Sequence, residues 1–400
     1  MARDPFEQIV GEEYCSRPEN ETLDDVPVGL VVCPGTAQEV AACLAQARED
    51  GRALVPSGGC SKLSWGNRTQ AAALVRLDLG RLSEKIDLQA EEGIVIAQAG
   101  VSVERLTRVA AEHGKRTLLC TLYPGASVGG TIAADPPSLD FAADWRLRNE
   151  ILGLEVAHPQ GGLARCGGRV VKNVTGFDLV RLYCGSFGTL GVITEATLRL
   201  RPLPAMQQVL CRDFESPEAA ITAAREILPF EPRAMLLRPA GPATRLCWTL
   251  EGEQDDVAQR ARQTQGRAVE AVAWELLRAE AAGLAIAPEG CMRVRVAGRV
   301  SDVLAIWKEL RECAGEASLR MALPLMGSVV AEVPAVALEP IYARARERYW
   351  AVHVERATPE QKAELDVFGP APEALPLMRA LKRRFDPERV LSPGRFVGGI

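Results

Sequence analysis

The stretch from Gly168 to Pro202 constrains the fold of this chain more than any other. It holds Lys172-Asn173, a Gly176-Phe177-Asp178 turn, and glycines at Gly185, Gly188 and Gly191. A run from Val192, Ile193 and Thr194 then alternates through Thr197, Leu198 and Leu200 until Pro202 stops it. Alternation of β-branched and polar residues over that length predicts a strand. The glycines before it sit where a backbone turns sharply or lies close to another group, which only a residue without Cβ does at no steric cost. One such turn suits any α/β domain, so its meaning depends on the turns upstream.

A chain of 400 residues suggests two or three domains and a large core. Its net charge of −5, with no basic block interleaved with aromatics, argues against nucleic acid as a partner. No apolar run is long enough to predict a transmembrane segment, and Met1 to Asn20 is too acidic and polar for a signal peptide. The expected location is cytoplasmic. Eleven cysteines occur without any C-x-x-C pair, which excludes the usual local signatures of zinc and iron–sulfur sites and predicts buried, reduced thiols. The histidines are His113, His158 and His353.

Residues Gly29 to Cys33 read as a strand, followed by a Thr36 to Glu39 capping box that opens a helix over Ala37 to Glu49. A second strand at Leu54-Val55 leads into Pro56, Ser57, Gly58, Gly59, Cys60, Ser61 and Lys62. Successive small residues after a strand can turn their N–H groups inward as an anion nest, with Lys62 adding charge, and a diphosphate is the natural guest. The plain alternative is a tight turn with a solvated lysine. The spacing is neither the Walker pattern nor G-x-G-x-x-G. Further strands are expected at Leu74 to Leu79 and Ile94 to Gln98. A helix over Glu104 to Glu112 makes His113 a helix-end residue. A second Gly-rich turn runs from Pro124 to Ala133, and Ile151 to Ala157 returns as a strand. His158, preceding Pro159, is expected in an exposed turn.

These three turns, in this order, resemble the FAD-binding domain of the vanillyl-alcohol-oxidase/PCMH flavoprotein superfamily. The last is similar to the FAD-linked 2-hydroxy-acid dehydrogenases, glycolate oxidase subunits among them. The likeness covers roughly Gly29 to Pro204 and returns at Phe385 to Arg395, where Ser392 replaces an asparagine of the closing signature. The resemblance implies an α+β protein with three parts. A two-subdomain PCMH-type FAD-binding domain would span 1–204, a cap domain 205–370, and a C-terminal return to the FAD domain 371–400.

Carried over residue by residue, the resemblance gives Ser57, Gly58, Gly59, Cys60 and Ser61 the pyrophosphate, with Pro56 and Lys62 alongside. Pro124, Gly125, Ser127, Gly129, Gly130 and Thr131 would lie along the pyrophosphate and isoalloxazine. Gly188, Gly191, Val192 and Ile193 would meet the adenosine side. A dinucleotide held mainly by main-chain donors needs glycines more than charged side chains. Covalent members carry a histidine where this chain has Cys60, so the expected cofactor is non-covalent FAD, a thioether through Cys60 being the alternative.

Beyond residue 204, strands are expected at Gln208–Cys211, Ala234–Arg238, Leu246–Leu250, Met292–Val296 and Val329–Val333. Helices are expected at Pro217–Leu228, Gln254–Gln265, Asp302–Cys313 and Ala335–Tyr349. The His…Gly-Asp-Gly-Asn-x-His element of catalytic hydroxy-acid dehydrogenases is absent from the sequence. His353, on a strand face with Ala351 and Glu355, is the candidate base, with a packed structural histidine as the plainer reading. Hydroxy-acid oxidation needs such a base. The resemblance therefore implies an FAD subunit of a multi-subunit glycolate or 2-hydroxy-acid dehydrogenase. A catalytic FAD subunit and an iron–sulfur subunit would be its partners, and peripheral membrane association would come through the complex. The alternatives are a self-sufficient FAD dehydrogenase using His353, Glu355 or Arg356, and a non-redox assembly subunit. Intact glycines in all three turns speak against the last.

Overall fold

The computed structural model describes residues 3–119, 122–136, 146–168, 178–281 and 289–400. Lys172, Asn173, Gly176, Phe177, Cys120 and Trp145 lie outside them. The predicted strand–helix–strand unit forms as Val26–Val32, Ala37–Glu49 and Ala53–Ser57. The two strands do not pair with each other. Leu74–Asp78 inserts between them and pairs in parallel with both. Thr36 caps the helix by accepting from the Glu39 N–H at 3.1 Å, while the Glu39 carboxylate accepts from Gly35 rather than from Thr36. The expected box is thus shifted by one residue.

The run that opened the reading becomes the strand Val192–Arg199 at the centre of a second, five-stranded sheet. It is flanked antiparallel by Ile151–Ala157 and Ile94–Gln98. Gly188 and Gly191, just before it, are buried, and Gly185 is half-buried. The chain returns to the first sheet at its far end: the Leu54 N–H donates to Val390 O at 2.8 Å, the Ser392 N–H donates to Leu54 O at 2.8 Å, and Leu54 bridges Leu391 in parallel.

From Met206 to Arg356 the chain builds an eight-stranded sheet whose described pairings are antiparallel. All five expected strands appear, as Met206–Phe214, Ala234–Ala240, Ala243–Gly252, Cys291–Ala297 and Ser328–Pro334. The four expected helices form within a few residues of their predicted ends. Strand side chains alternate between faces, and here the two faces differ in kind. Met292, Val294 and Val296 pack into a core with Ile306, Trp307 and Ile341 from the helices. Their neighbours Arg293 and Arg295 point the other way, among Glu332 and Glu355. Further along that second face Leu236, Cys247, Met321 and Val330 pack with Trp274 of the helix Ala271–Ala281.

Candidate functional site

One slot gathers most of the expected residues. Pro56, Ser57, Gly58, Gly59, Cys60, Ser61, Lys62, Ser127, Gly129, Gly130, Gly188, Gly191, Val192 and Ile193 line it together. Its volume of about 100 Å³ is below the ~300 Å³ lower end for whole small-molecule sites, so it would take one portion of a dinucleotide. Three expected residues stay outside its lining. Pro124 and Gly125 are exposed on the rim of the second turn, and Thr131 is fully buried inside a helix. The cause is local: the second Gly-rich segment is a turn only as far as Ala126. Ser127 then caps a short helix, Val128–Ala134, by accepting from the Gly130 N–H at 3.2 Å. Thr131 falls on its inner face.

The first loop keeps its donors uncommitted. Among the described residues, the N–H groups of Gly58, Gly59, Cys60 and Ser61 donate no hydrogen bond. A run of free N–H groups at the mouth of a slot is what an anion nest requires, so the residues present fit a diphosphate. Lys62 is not the solvated lysine of the plain alternative. It is buried, donates to Ser61 Oγ at 3.1 Å, and lies 4.6 Å from the centre of the Tyr123 ring. Cys60 sits in the left-handed region at φ +55°, and burial pushes its thiol pKa up.

The glycines of this site answer to packing. A Cβ on Gly59 would overlap the Gly125 carbonyl oxygen, and one on Gly58 would overlap Ser127 Oγ. The first and second turns are thus pressed together backbone to backbone, and the fold itself demands Gly59 whether or not a cofactor binds. Intact glycines at Gly58 and Gly59 therefore do not by themselves speak against a non-redox assembly subunit.

Sequence reasoning missed the rear of the site. Val55, Leu63, Leu79, Ala133, Ala134, Phe187 and Arg395 also line the slot. Arg395 closes the C-terminal segment that carries the resemblance, and nothing in its local sequence marks it as part of the slot. Its guanidinium is buried, donates to Trp65 O at 2.6 Å and to Leu63 O, and lies 3.7 Å from Asp24. Asn67 is a second omission. It donates to Asp366 at 3.0 Å and to Phe396 O at 3.1 Å, and accepts from the Val367 N–H at 2.7 Å.

His353 meets the site through rings. It stacks on Phe368 at 5.0 Å between centres, with 9° between planes, and stands edge-on to Trp65 at 5.9 Å. Its Nε2 is buried without a hydrogen-bond partner, and burial pushes its pKa down. Trp65 continues to Tyr123 at 5.6 Å, so one aromatic series joins the sheet to the loop that forms the slot. Glu355 accepts from Arg293 Nε at 3.0 Å and Arg295 Nε at 2.5 Å, and Arg356 pairs with Glu332 at 2.8 Å. Those side chains are committed to one another.

The remaining histidines divide. His113 is the expected helix-end residue, its Nδ1 lying 3.0 Å from Val109 O. His158 is not the exposed turn residue expected. It is half-buried, with Nε2 3.1 Å from the Tyr183 hydroxyl and its ring against Phe385, and burial pushes its pKa down. The exposed pair Asp178 and Arg181 bind each other at 2.8 Å. Among the described residues all cysteines are free and no group of three or more His, Cys, Asp or Glu could hold a metal. No described helix is long and apolar enough to cross a membrane.

The anion-ready loop, the paired small sheets and the larger antiparallel sheet together make an α+β PCMH-type FAD-binding fold. Residues 28–167 match the FAD binding domain family, so this part of the chain is an FAD-binding domain. The chain is 34% identical over 207 residues to a D-lactate dehydrogenase of Archaeoglobus fulgidus, a match covering 50% of this chain and 46% of that one. It is 28% identical over 222 residues to glycolate oxidase subunit GlcD of Bacillus subtilis, covering 54% and 45%. These matches thus span less than half the length of either relative. A crystal structure of p-cresol methylhydroxylase with substrate bound superposes with a TM-score of 0.74 at 15% identity, over 98% of this chain and 95% of that one, which shows a shared fold.

Proposed function

We propose that this chain is the non-covalent FAD-binding (E) subunit of a multi-subunit glycolate or 2-hydroxy-acid dehydrogenase. It would carry electrons from a catalytic FAD subunit toward an iron–sulfur subunit. Similarity to a D-lactate dehydrogenase and a glycolate oxidase subunit supports the hydroxy-acid class. The observation that carries the division of labour is the state of His353. It is the sole histidine after residue 204, and it lies between two aromatic rings. Oxidising a hydroxy acid requires a base within reach of the hydroxyl proton. A ring packed on Phe368 and Trp65, with Glu355 locked between two arginines, leaves that role to a partner.

Bound FAD supplies a two-electron acceptor able to release electrons singly. The residues of this chain hold it. The N–H groups of Gly58 to Ser61 would receive the diphosphate, and the apolar walls at Val192, Ile193 and Leu79 would exclude water. Cys60 stands where covalent members carry a histidine, and its raised thiol pKa disfavours the nucleophilic thiolate, which supports an unlinked flavin.

Anaerobic addition of glycolate and D-lactate to the purified chain tests this reading. A yellow protein whose spectrum does not bleach is expected. Rapid bleaching would make the chain an autonomous dehydrogenase. Flavin that stayed with the polypeptide after acid precipitation would overturn the non-covalent assignment.

A further inference from the structure

Three buried charged side chains meet behind the slot. Lys362 Nζ donates to Asp24 Oδ1 at 2.8 Å and to the carbonyl of Ser64. Arg395 donates to the carbonyls of Leu63 and Trp65 and faces the same Asp24 at 3.7 Å. The side chains of Lys362, Asp24 and Arg395 are 3%, 6% and 4% exposed. Two cations therefore share one carboxylate, leaving an excess of one positive charge in a place that water does not reach. Burying an uncompensated charge costs several kcal/mol unless an opposite charge is supplied. Arg395 Nη1, the atom that faces Asp24 Oδ2 at 3.7 Å, is buried without a hydrogen bond, and the residue lines the slot.

The same cations set the shape of the loop. They hold three successive carbonyls, of Leu63, Ser64 and Trp65, toward the rear. The trans peptide points each N–H opposite to the carbonyl of the residue before it. Two overlapping turns, Leu63 N–H to Cys60 O at 3.1 Å and Trp65 N–H to Lys62 O at 3.0 Å, carry that orientation back to the uncommitted N–H groups. Neither cation belongs to the glycine-rich turns: one follows the last strand of the large sheet, and the other lies in the C-terminal segment.

We propose that Arg395 and Lys362 are positioning residues of the cofactor site. They fix the loop from behind and provide the positive charge that a bound diphosphate neutralises, with Asp24 limiting the excess to one. This rests on the FAD reading of the slot and adds to it the source of its anion affinity.

Thermal shift and calorimetry on the full chain, stripped of flavin and titrated with FAD, ADP and adenosine, test the idea. Arg395→Met should weaken FAD and ADP roughly tenfold or more, the scale of a lost charge-assisted contact, while leaving adenosine binding unchanged. Arg395→Lys, which keeps the charge and loses the fork, should restore part of that loss. Asp24→Asn should also lower the melting temperature of the apoprotein, yet enlarge the upward shift that ADP produces. A purely structural role predicts that Arg395→Met and Asp24→Asn change ligand responses in the same direction, and that adenosine suffers with ADP. Either result overturns the proposal. If Arg395→Met fails to fold, the opposite-sign response of Asp24→Asn and the behaviour of Arg395→Lys still decide it. Wild-type chain that binds neither FAD nor ADP would sink the cofactor reading itself, whereas wild-type binding with unaltered variants would sink only this inference.

Discussion

The loop that forms the slot and the charged face of the large sheet solve opposite problems with opposite materials. The loop presents backbone, with small side chains and N–H groups left open. The sheet face carries Arg293, Arg295, Glu332 and Glu355, all buried, and each charge meets another at 2.5 to 3.2 Å. An open set of donors awaits a ligand, and a closed set of ion pairs holds a shape. The difference suits the first region to the proposed recognition of a diphosphate and the second to rigidity, although both are polar.

The sheet face should give the largest response. Glu355→Gln leaves Arg293 and Arg295 buried around a neutral amide, and breaking such a cluster costs about 3–5 kcal/mol. Urea unfolding of wild type and variant measures it, and a loss below about 1 kcal/mol would mean the pairs are not holding the sheet. Arg293 and Arg295 hold the Glu355 pKa down against its burial. Its stabilising contribution is thus present above the unfolded value near 4.5 and is lost as pH falls through the depressed folded value.

Next comes the loop. Gly59→Ala sets a methyl into the Gly125 carbonyl, an overpacking change at the upper end of the usual ~1–3 kcal/mol. It should also abolish FAD retention, read from the visible spectrum of the purified protein. Retained flavin would show that the two turns can part without harm.

A smaller effect is expected at His353. Its pKa is pushed down by burial, so below the unfolded value of about 6.5 the unfolded chain binds the extra proton. The stabilising contribution is therefore full above that value and declines as pH falls toward the folded one. His353→Gln should flatten the dependence of melting temperature on pH between about 5 and 7. An unchanged profile would assign that slope to His158, the other half-buried histidine with a lowered pKa.

The smallest change is at Ser392, which takes φ +44° with its hydroxyl buried and unpartnered. Ser392→Gly removes both burdens, offset by greater freedom of the unfolded chain, for a gain of up to ~1 kcal/mol in unfolding free energy. A loss would show that the hydroxyl has a partner in solution.

Local signals carried most of the fold. Thr36 and Pro217 mark helix starts, and β-branched alternation marks Val192–Arg199. Where those signals fail, elements were missed. Leu319–Leu323 is apolar except for Arg320 and has no period, because most of the strand is buried within the sheet. Ala271–Ala281 has apolar residues on several faces, Val272 and Leu276 exposed and Trp274 buried, so no helical stripe stands out. For the site, the turns were legible and their backing was not. Arg395, Lys362 and Asn67 look like surface residues in the sequence, and only contacts across some 300 positions bury them. His158 misled for the same reason: Pro159 implies a turn, while the ring that covers it, Phe385, arrives from the far end of the chain.

The parallel bridge between Leu54 and Leu391 has a consequence for synthesis. During translation the first sheet emerges early, yet its edge lacks a neighbour until more than three hundred further residues have left the ribosome. Domains that are contiguous in sequence can fold as they appear. This one must wait for the segment that carries Leu391 and Arg395, so its edge stays open and its slot stays incomplete until that segment has been made.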